Sequence, residues 1–116
     1  MKIKNILILL LGIFLSGTVY SQDTITPKDA NKYIGKNVVI IGSIDQITHT
    51  TKAIYLNMGG IYPKNTFAAV IFSKNFDSFK DIDTFLQKEF YISGTIKEFN
   101  DKPEIIIESP SQLKIK

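Results

Sequence analysis

The sequence predicts an all-β fold with one or two helices: a five-stranded barrel, ordered β-β-β-α-β-β, behind a short N-terminal helix. Two observations predict it. Runs of β-branched and aromatic residues of strand length recur between turn-forming segments along most of the chain. Two long runs also carry a glycine at the same relative place, Gly42 and Gly94. A glycine inside a strand marks a bend or bulge, and bent strands are needed to close a small barrel.

Residues 1–21 are predicted to be a secretory signal peptide. Lys2 and Lys4 precede an apolar run over residues 6–15, and Val19 and Ser21 stand at the −3 and −1 positions of a cut after Ser21. The run is shorter than the roughly 20 residues that span a bilayer, although an uncleaved membrane anchor is the alternative. We therefore expect a single domain over residues 22–116, exported to a bacterial periplasm or to the extracellular space.

Composition limits the chemistry available to this chain. A length of 116 residues with 44% hydrophobic content fits one domain. The absence of Cys excludes disulfides, thiolate metal ligands and a lipid anchor on Cys. All 14 basic side chains are Lys, so no Arg can grip a phosphate in bidentate fashion. Removal of residues 1–21 leaves 12 Lys against 11 acidic side chains, and the net charge falls from +3 to about +1.

The N-terminal helix is predicted over residues 27–34. Thr26 is placed to cap it, Pro27 occupies the first helical position, and Gly35 is placed to end it. Ala30 and Tyr33 lie on the face that we expect to pack on the core, together with Ile34.

The five strands are predicted at residues 38–47, 53–58, 67–73, 89–99 and 104–108. Between the third and fourth strands, apolar residues recur at intervals of three and four, which predicts one amphipathic helix over residues 75–88. Pro110 ends the fifth strand, and Leu113 and Ile115 are predicted to add a short edge strand.

An internal similarity supports the two bent strands. Residues 33–44 align with residues 85–96, 52 positions further on, with identical Lys, Ile, Gly and Ile at four positions. The alternative is a chance likeness between two Ile-rich strands. With bent first and fourth strands, the predicted order is the topology of the OB-fold, a five-stranded, partly open barrel.

Residues 26–116 also resemble a known family, the exported bacterial OB-fold domains of the nucleic-acid-binding, tRNA-anticodon-like type. The motifs that carry the resemblance are Ile34-Gly35-Lys36, Ile40-x-Gly42-x-Ile44, Tyr55-Leu56-Asn57-Met58-Gly59 with Tyr62-Pro63, Phe67-x-x-Val70-Ile71-Phe72, Ile92-x-Gly94-x-Ile96 and Lys102-Pro103-Glu104-Ile105-Ile106-Ile107. The resemblance implies an OB barrel, while its functional signal is weak because OB-folds bind many kinds of ligand.

Enzyme chemistry is not predicted. The one histidine, His49, lies in a Thr-rich turn, and no serine has a visible base and orienting group. Asp77, Asp81 and Asp83 lack an oxygen-rich loop of metal-binding spacing, and a solvated helix face explains them better. We therefore predict no catalytic residue, no metal site and no cofactor.

A binding module is the better prediction. OB barrels present their second and third strands, with the loops 1–2 and 4–5, to the ligand. The candidate ligand-binding residues are accordingly Tyr55, Asn57, Tyr62, Phe67, Lys52, His49 and Lys102. Strand alternation turns Tyr55 and Asn57 outward if Ile54, Leu56 and Met58 face inward. The alternative is that Tyr55 packs beneath the N-terminal helix and that Phe67 closes the mouth of the barrel.

Two classes of partner remain open. The first is single-stranded nucleic acid or nucleotides, stacked on the aromatic side chains. The second is a protein, a glycan or a small ligand that contacts residues 59–63. A net charge near +1 supplies little counterion release, and Glu104 and Glu108 share a face of the fifth strand, so nucleic-acid binding is only weakly favoured. Membrane contact is expected only through an uncleaved signal peptide, and the oligomeric state is open.

Overall fold

The computed structural model describes residues 22–116, so the predicted signal peptide lies outside the described residues. The seven strands are β1 (Asp23–Ile25), β2 (Asn37–His49), β3 (Ala53–Met58), β4 (Phe67–Phe72), β5 (Glu89–Phe99), β6 (Lys102–Ile106) and β7 (Leu113–Ile115). In this part of the chain, four short 3₁₀ helices accompany them, at Pro27–Tyr33, Ser73–Phe79, Ile82–Phe85 and Pro110–Gln112. Within residues 22–116, no helix has both the length and the apolar character needed to cross a membrane.

The strands form a single sheet in the order β1-β2-β3-β4-β6-β5-β7. An additional pairing of β2 with β5 closes this sheet partly into a ring. Pairing is antiparallel except between β1 and β2 and between β4 and β6. The prediction of a mainly β fold is confirmed, and so is the terminal edge strand, whereas β1 was not predicted. The strand predicted at 104–108 begins two residues earlier, at Lys102.

The two long strands, in which the sequence predicts a bend at the glycine, each change partner near that glycine. In β2, residues 37–43 pair with β5 and residues 44–49 with β3; in β5, residues 89–95 pair with β2 and residues 96–99 with β6. Gly42 and Gly94 lie two residues before these changes. A Cβ at position 42 would lie 2.9 Å from Cγ of Pro27. The lack of a side chain at Gly42 therefore leaves room for the N-terminal 3₁₀ helix to pack against β2. The bulge itself lies between Ile44 and Gln46.

The prediction of a single amphipathic helix over residues 75–88 was wrong. The chain instead forms two 3₁₀ helices, Ser73–Phe79 and Ile82–Phe85. The physical reason lies in the spacing of the apolar side chains. Phe76, Phe79, Ile82 and Phe85 recur every three residues, which is the repeat of a 3₁₀ helix, and all four contact the core. The N-terminal segment Pro27–Tyr33 is 3₁₀ as well, and Thr26 makes no side-chain capping hydrogen bond there.

The core lies inside the partly closed sheet, and strand alternation determines what reaches it. On β3, Ile54, Leu56 and Met58 join the main core. Tyr55 faces the other way and packs in a second cluster with Ala53, Ala68, Val70 and Ile106. The alternation predicted for residues 53–58 is therefore confirmed. The outer face of β3, β4 and β6 is where the candidate site is found.

Candidate ligand-binding cleft

A cleft of about 580 Å³ opens on the outer face of the sheet. Strands β2, β3, β4 and β6 supply its floor, the loop over residues 59–66 supplies one wall, and the turn after β5 supplies the other. Tyr62 and Phe99 stand at these two walls, and the two residues are 68% and 61% exposed. Both rings are therefore free to contact a ligand that enters the cleft.

Strand register explains why the sheet is hollow here. Asn57, Ala68 and Glu104 lie side by side on β3, β4 and β6. The middle residue contributes only a methyl group, so the space above it is left open between larger neighbours. In the adjacent row, Thr48 on β2 pairs with Tyr55 on β3, and both side chains line the cleft.

A network of amides supports the cleft from below. The Gln46 Oε1 atom accepts hydrogen bonds from Asn57 Nδ2 and from the backbone N–H of Tyr62, both at 2.9 Å. Asn65 Nδ2 donates to Asn57 Oδ1 and to the carbonyl of Phe67, both at 3.2 Å. Asn57 and Asn65 are only 3% and 5% exposed, and these bonds satisfy them in the interior. The network holds the loop over residues 59–66 against the sheet.

Lys102 completes this network. Its ammonium donates to the carbonyl of Asn65 at 2.9 Å, to Asn65 Oδ1 at 3.0 Å and to the carbonyl of Pro63. An ammonium has three N–H donors, so all of them are used. The same nitrogen lies 5.8 Å from the centre of the Tyr62 ring, within cation–π range. Lys102 therefore holds the loop over residues 59–66 to β6, and all of its N–H donors are used within the chain.

Glu104 is the charged group of the cleft that has no partner among residues 22–116. Its carboxylate takes part in none of the ion pairs or side-chain hydrogen bonds found within residues 22–116. Lys97 is its cross-strand neighbour on β5 but forms no ion pair with it. Burial of the half-buried carboxyl raises the pKa of Glu104 above its ordinary value of 4.5.

The structure gathers four of the predicted site residues, Tyr55, Asn57, Tyr62 and Lys102, around this cleft. Phe67 requires a correction, because its side chain is 0% exposed and belongs to the main core. The reason is strand register: Phe67 pairs with inward-facing Met58, so alternation on β4 turns Ala68 outward in its place. The ring of Phe67 therefore cannot contact a ligand on the sheet surface.

His49 and Lys52 do not line the cleft either. His49 Nε2 lies 2.6 Å from Asp83 Oδ1, so this ring is directed toward the second of the 3₁₀ helices that follow β4. The carbonyl of Lys52 accepts a hydrogen bond from Ser73 N at 2.9 Å, which holds the β2–β3 turn beside the end of β4. The loop expected to reach the ligand instead packs on the connection between β4 and β5.

Sequence reasoning missed Gln46, Asn65, Phe99 and the small residue Ala68. Alternation along β2 could have suggested Gln46 and Thr48, because they face the same way as Tyr55 once the two strands are paired. An aromatic residue directly before an Asn-Asp turn was a signal for exposed Phe99. Asn65 gave no signal, because its role arises from the fold of the loop. Within residues 22–116, no three His, Asp or Glu side chains come together as a metal site.

Comparison with known proteins adds the fold class. No family model and no curated protein matches the sequence. Among solved structures, the chain is similar to "OBody AM2EP06 bound to hen egg-white lysozyme", with a TM-score of 0.60, 15% identity and coverage of 84% of this chain and 96% of that one. "OBody AM1L10 bound to hen egg-white lysozyme" gives a TM-score of 0.60 and 16% identity, covering 85% and 98%.

A putative aspartyl-tRNA synthetase from Leishmania major Friedlin is similar at a TM-score of 0.55 and 12% identity. This match covers 84% of the present chain but 21% of the synthetase. At such identities the likeness shows the fold alone. The chain therefore has an OB-like fold, as the strand order predicts, with a partly closed sheet of seven strands.

Proposed function

We propose that this protein is an exported, non-enzymatic binding module whose cleft binds a short oligosaccharide. In this proposal β2 to β6 act as the five-stranded OB barrel expected from the sequence, and residues 1–21 direct export. The observation that carries the proposal is the composition of the cleft: the exposed aromatic residues Tyr62 and Phe99 stand at its walls, and its floor carries amides, a hydroxyl and a carboxylate.

This composition suits a sugar. Pyranose rings offer apolar C–H faces that pack on aromatic rings, and their hydroxyls need both donors and acceptors at the rim. Gln46 uses its Oε1 atom within the network, which leaves its amide N–H groups as donors. Glu104 supplies an acceptor with no protein donor on it among the described residues. The corresponding face of OB-folds in general binds oligosaccharides as well as oligonucleotides.

The charges of the cleft disfavour a phosphate-rich ligand. Lys102, the one lysine among the cleft-lining residues, has already committed its three N–H donors. Glu104 would repel a phosphate from the floor. With a net charge of about +1 over residues 22–116, counterion release contributes little to binding of nucleic acid.

An oligosaccharide array followed by calorimetry with the purified protein tests the proposal. Phe99→Ala should weaken binding by roughly tenfold, the loss expected for an aromatic contact of about 1.4 kcal/mol. Phe72→Ala is the matched control, because Phe72 also ends a strand and is partly exposed but lies outside the cleft. Ala68→Leu should abolish binding by filling the floor. Absence of any bound sugar, or equal effects of the two Phe variants, would refute the proposal.

Single-stranded nucleic acid is the second candidate, and the aromatic set of Tyr55, Tyr62 and Phe99 favours it. Each stacked base contributes about 1–3 kcal/mol on such rings. One similar structure is named as a tRNA synthetase and others are complexes with lysozyme, so OB-like proteins serve more than one class of partner. Titration of an oligonucleotide at two salt concentrations tests this candidate. Salt-sensitive binding that is lost in Phe99→Ala would identify the ligand as nucleic acid and not as an oligosaccharide.

Export has its own test. Cell fractionation and N-terminal mass determination should find the protein outside the cytoplasm, beginning at Gln22. A cytoplasmic protein that retains residues 1–21 would contradict this part of the proposal.

A further inference from the structure

Glu104 lies where a ligand that enters the cleft would reach it. It projects from β6 beside Ala68, so it stands at the edge of the cleft floor. Its carboxylate receives no hydrogen bond from any donor within residues 22–116. A half-buried carboxylate that the protein leaves without donors is an acceptor available to whatever fills the cleft.

The rings around the cleft suit a cation. Aromatic faces attract ammonium groups through the ring quadrupole, most strongly where water is excluded. Tyr62 already shows this property, since its ring lies 5.8 Å from the ammonium of Lys102. Phe99 stands at the other wall of the cleft with its ring largely exposed and no cation over it among the described residues.

Neither of the two lysines near Glu104 forms an ion pair with it. Lys102 has its ammonium turned to three oxygens of the loop. Lys97 faces Glu104 across the β5–β6 pair but does not line the cleft and forms no ion pair with it. Burial raises the pKa of Glu104, and neither lysine offsets that shift. An incoming ammonium would supply the missing countercharge.

We propose, building on the oligosaccharide binding proposed above, that the natural ligand carries a free amino group whose ammonium seats on the Glu104 carboxylate between the aromatic walls. The ring faces then hold the sugar skeleton, while the charge-assisted hydrogen bond to Glu104 selects amino sugars over neutral ones. The ligand class is an amino-bearing oligosaccharide.

Three probes of one length separate this inference from the function it rests on. They are a glucosamine tetramer, the same tetramer fully N-acetylated, and a galacturonic acid tetramer, which is anionic. Each is titrated into the full-length protein at a pH where the amine is protonated and Glu104 is ionised. Glu104→Gln removes the charge and keeps the shape, and Glu98→Gln, an exposed position outside the cleft, is the matched control.

The glucosamine tetramer should bind at least about tenfold more tightly than its acetylated form, and the anionic tetramer most weakly. Glu104→Gln should erase that preference, whereas Glu98→Gln should preserve it. Equal binding of the amine and acetylated tetramers, or a preference that survives Glu104→Gln, would overturn the inference and leave oligosaccharide binding intact. Failure of all three tetramers to bind would overturn both proposals.

Discussion

The ammonium of Lys102 donates a hydrogen bond to Asn65 Oδ1 over 3.0 Å, and this contact fastens β6 to the loop over residues 59–66. From Asn65 the network continues through Asn57 to Gln46 on β2. A series of hydrogen-bonded side chains thus runs beneath the cleft from β6 to β2. The position of Tyr62 depends on this chain, because its backbone N–H is held by the last member.

Lys102→Met should therefore destabilise the protein. The substitution keeps the aliphatic stem but removes the donor to nearly buried Asn65, and an unsatisfied buried acceptor costs about 1–3 kcal/mol. Urea unfolding measures the free energy of unfolding. Lys97→Met, which removes an exposed lysine from the neighbouring strand, should change that free energy by less than about 0.5 kcal/mol. Equal stability of the two variants would show that the Lys102 contacts do not hold the loop.

Phe67 and Tyr62 should respond in opposite ways to truncation. Phe67→Leu, deep in the core, should cost on the order of 1–2 kcal/mol of unfolding free energy. It should leave ligand affinity unchanged. Tyr62→Ala, at an exposed wall, should cost less than about 1 kcal/mol but weaken ligand binding. Thermal unfolding and calorimetric titration of both variants check this, and a binding defect in a folded Phe67→Leu protein would contradict the assignment.

Much of the fold follows from local patterns in the sequence. Period-two alternation over residues 53–58 predicts which side chains enter the core, and the glycines at 42 and 94 mark where two strands change partner. The prediction of a single helix over residues 75–88 was wrong because spacing of three and spacing of three-and-four overlap in short segments. Phe76, Phe79, Ile82 and Phe85 keep a strict interval of three, which favours 3₁₀ turns.

The site is harder to predict because it depends on register between strands. A shift of one residue would have turned Phe67 outward and Ala68 inward, and nothing within β4 itself decides this. Asn65 gains its role only when the loop closes over the sheet and brings Lys102 from 37 residues away. Candidate aromatic residues and lysines could be chosen from the sequence by residue type. Which of them lie together at one site became clear only once the strands were paired.

His49 should have no part in ligand binding. Its contact with Asp83 joins two exposed side chains, and polar contacts of this exposed kind contribute about 0.2–1 kcal/mol. His49→Ala and Asp83→Asn should each lower the free energy of unfolding by no more than that. Both variants should bind the ligand as the unmodified protein does in calorimetric titrations. A large loss of affinity in either would show that the β2–β3 turn takes part in the site after all.

Glu104→Gln should affect stability in a pH-dependent way. Burial raises the pKa of Glu104 above 4.5, so the folded state holds this proton more tightly than the unfolded state does. As pH rises from below 4.5 through the raised pKa, the unfolded state loses the proton first, and the contribution of Glu104 to stability falls. At pH values above the raised pKa, the destabilisation by the buried Glu104 carboxylate stays constant. At pH values below 4.5, Glu104 is protonated in both states and causes no destabilisation.

The neutral glutamine carries no such penalty. Glu104→Gln should consequently match the unmodified protein in acid and be the more stable of the two at neutral pH, as measured by urea unfolding across the range. Glu98→Gln, which removes an exposed carboxylate, should show no gain that develops over the same interval. If Glu104→Gln were instead less stable at neutral pH, the Glu104 carboxylate would have to be stabilised by a partner in the folded protein, and its availability to a cationic ligand would be lost.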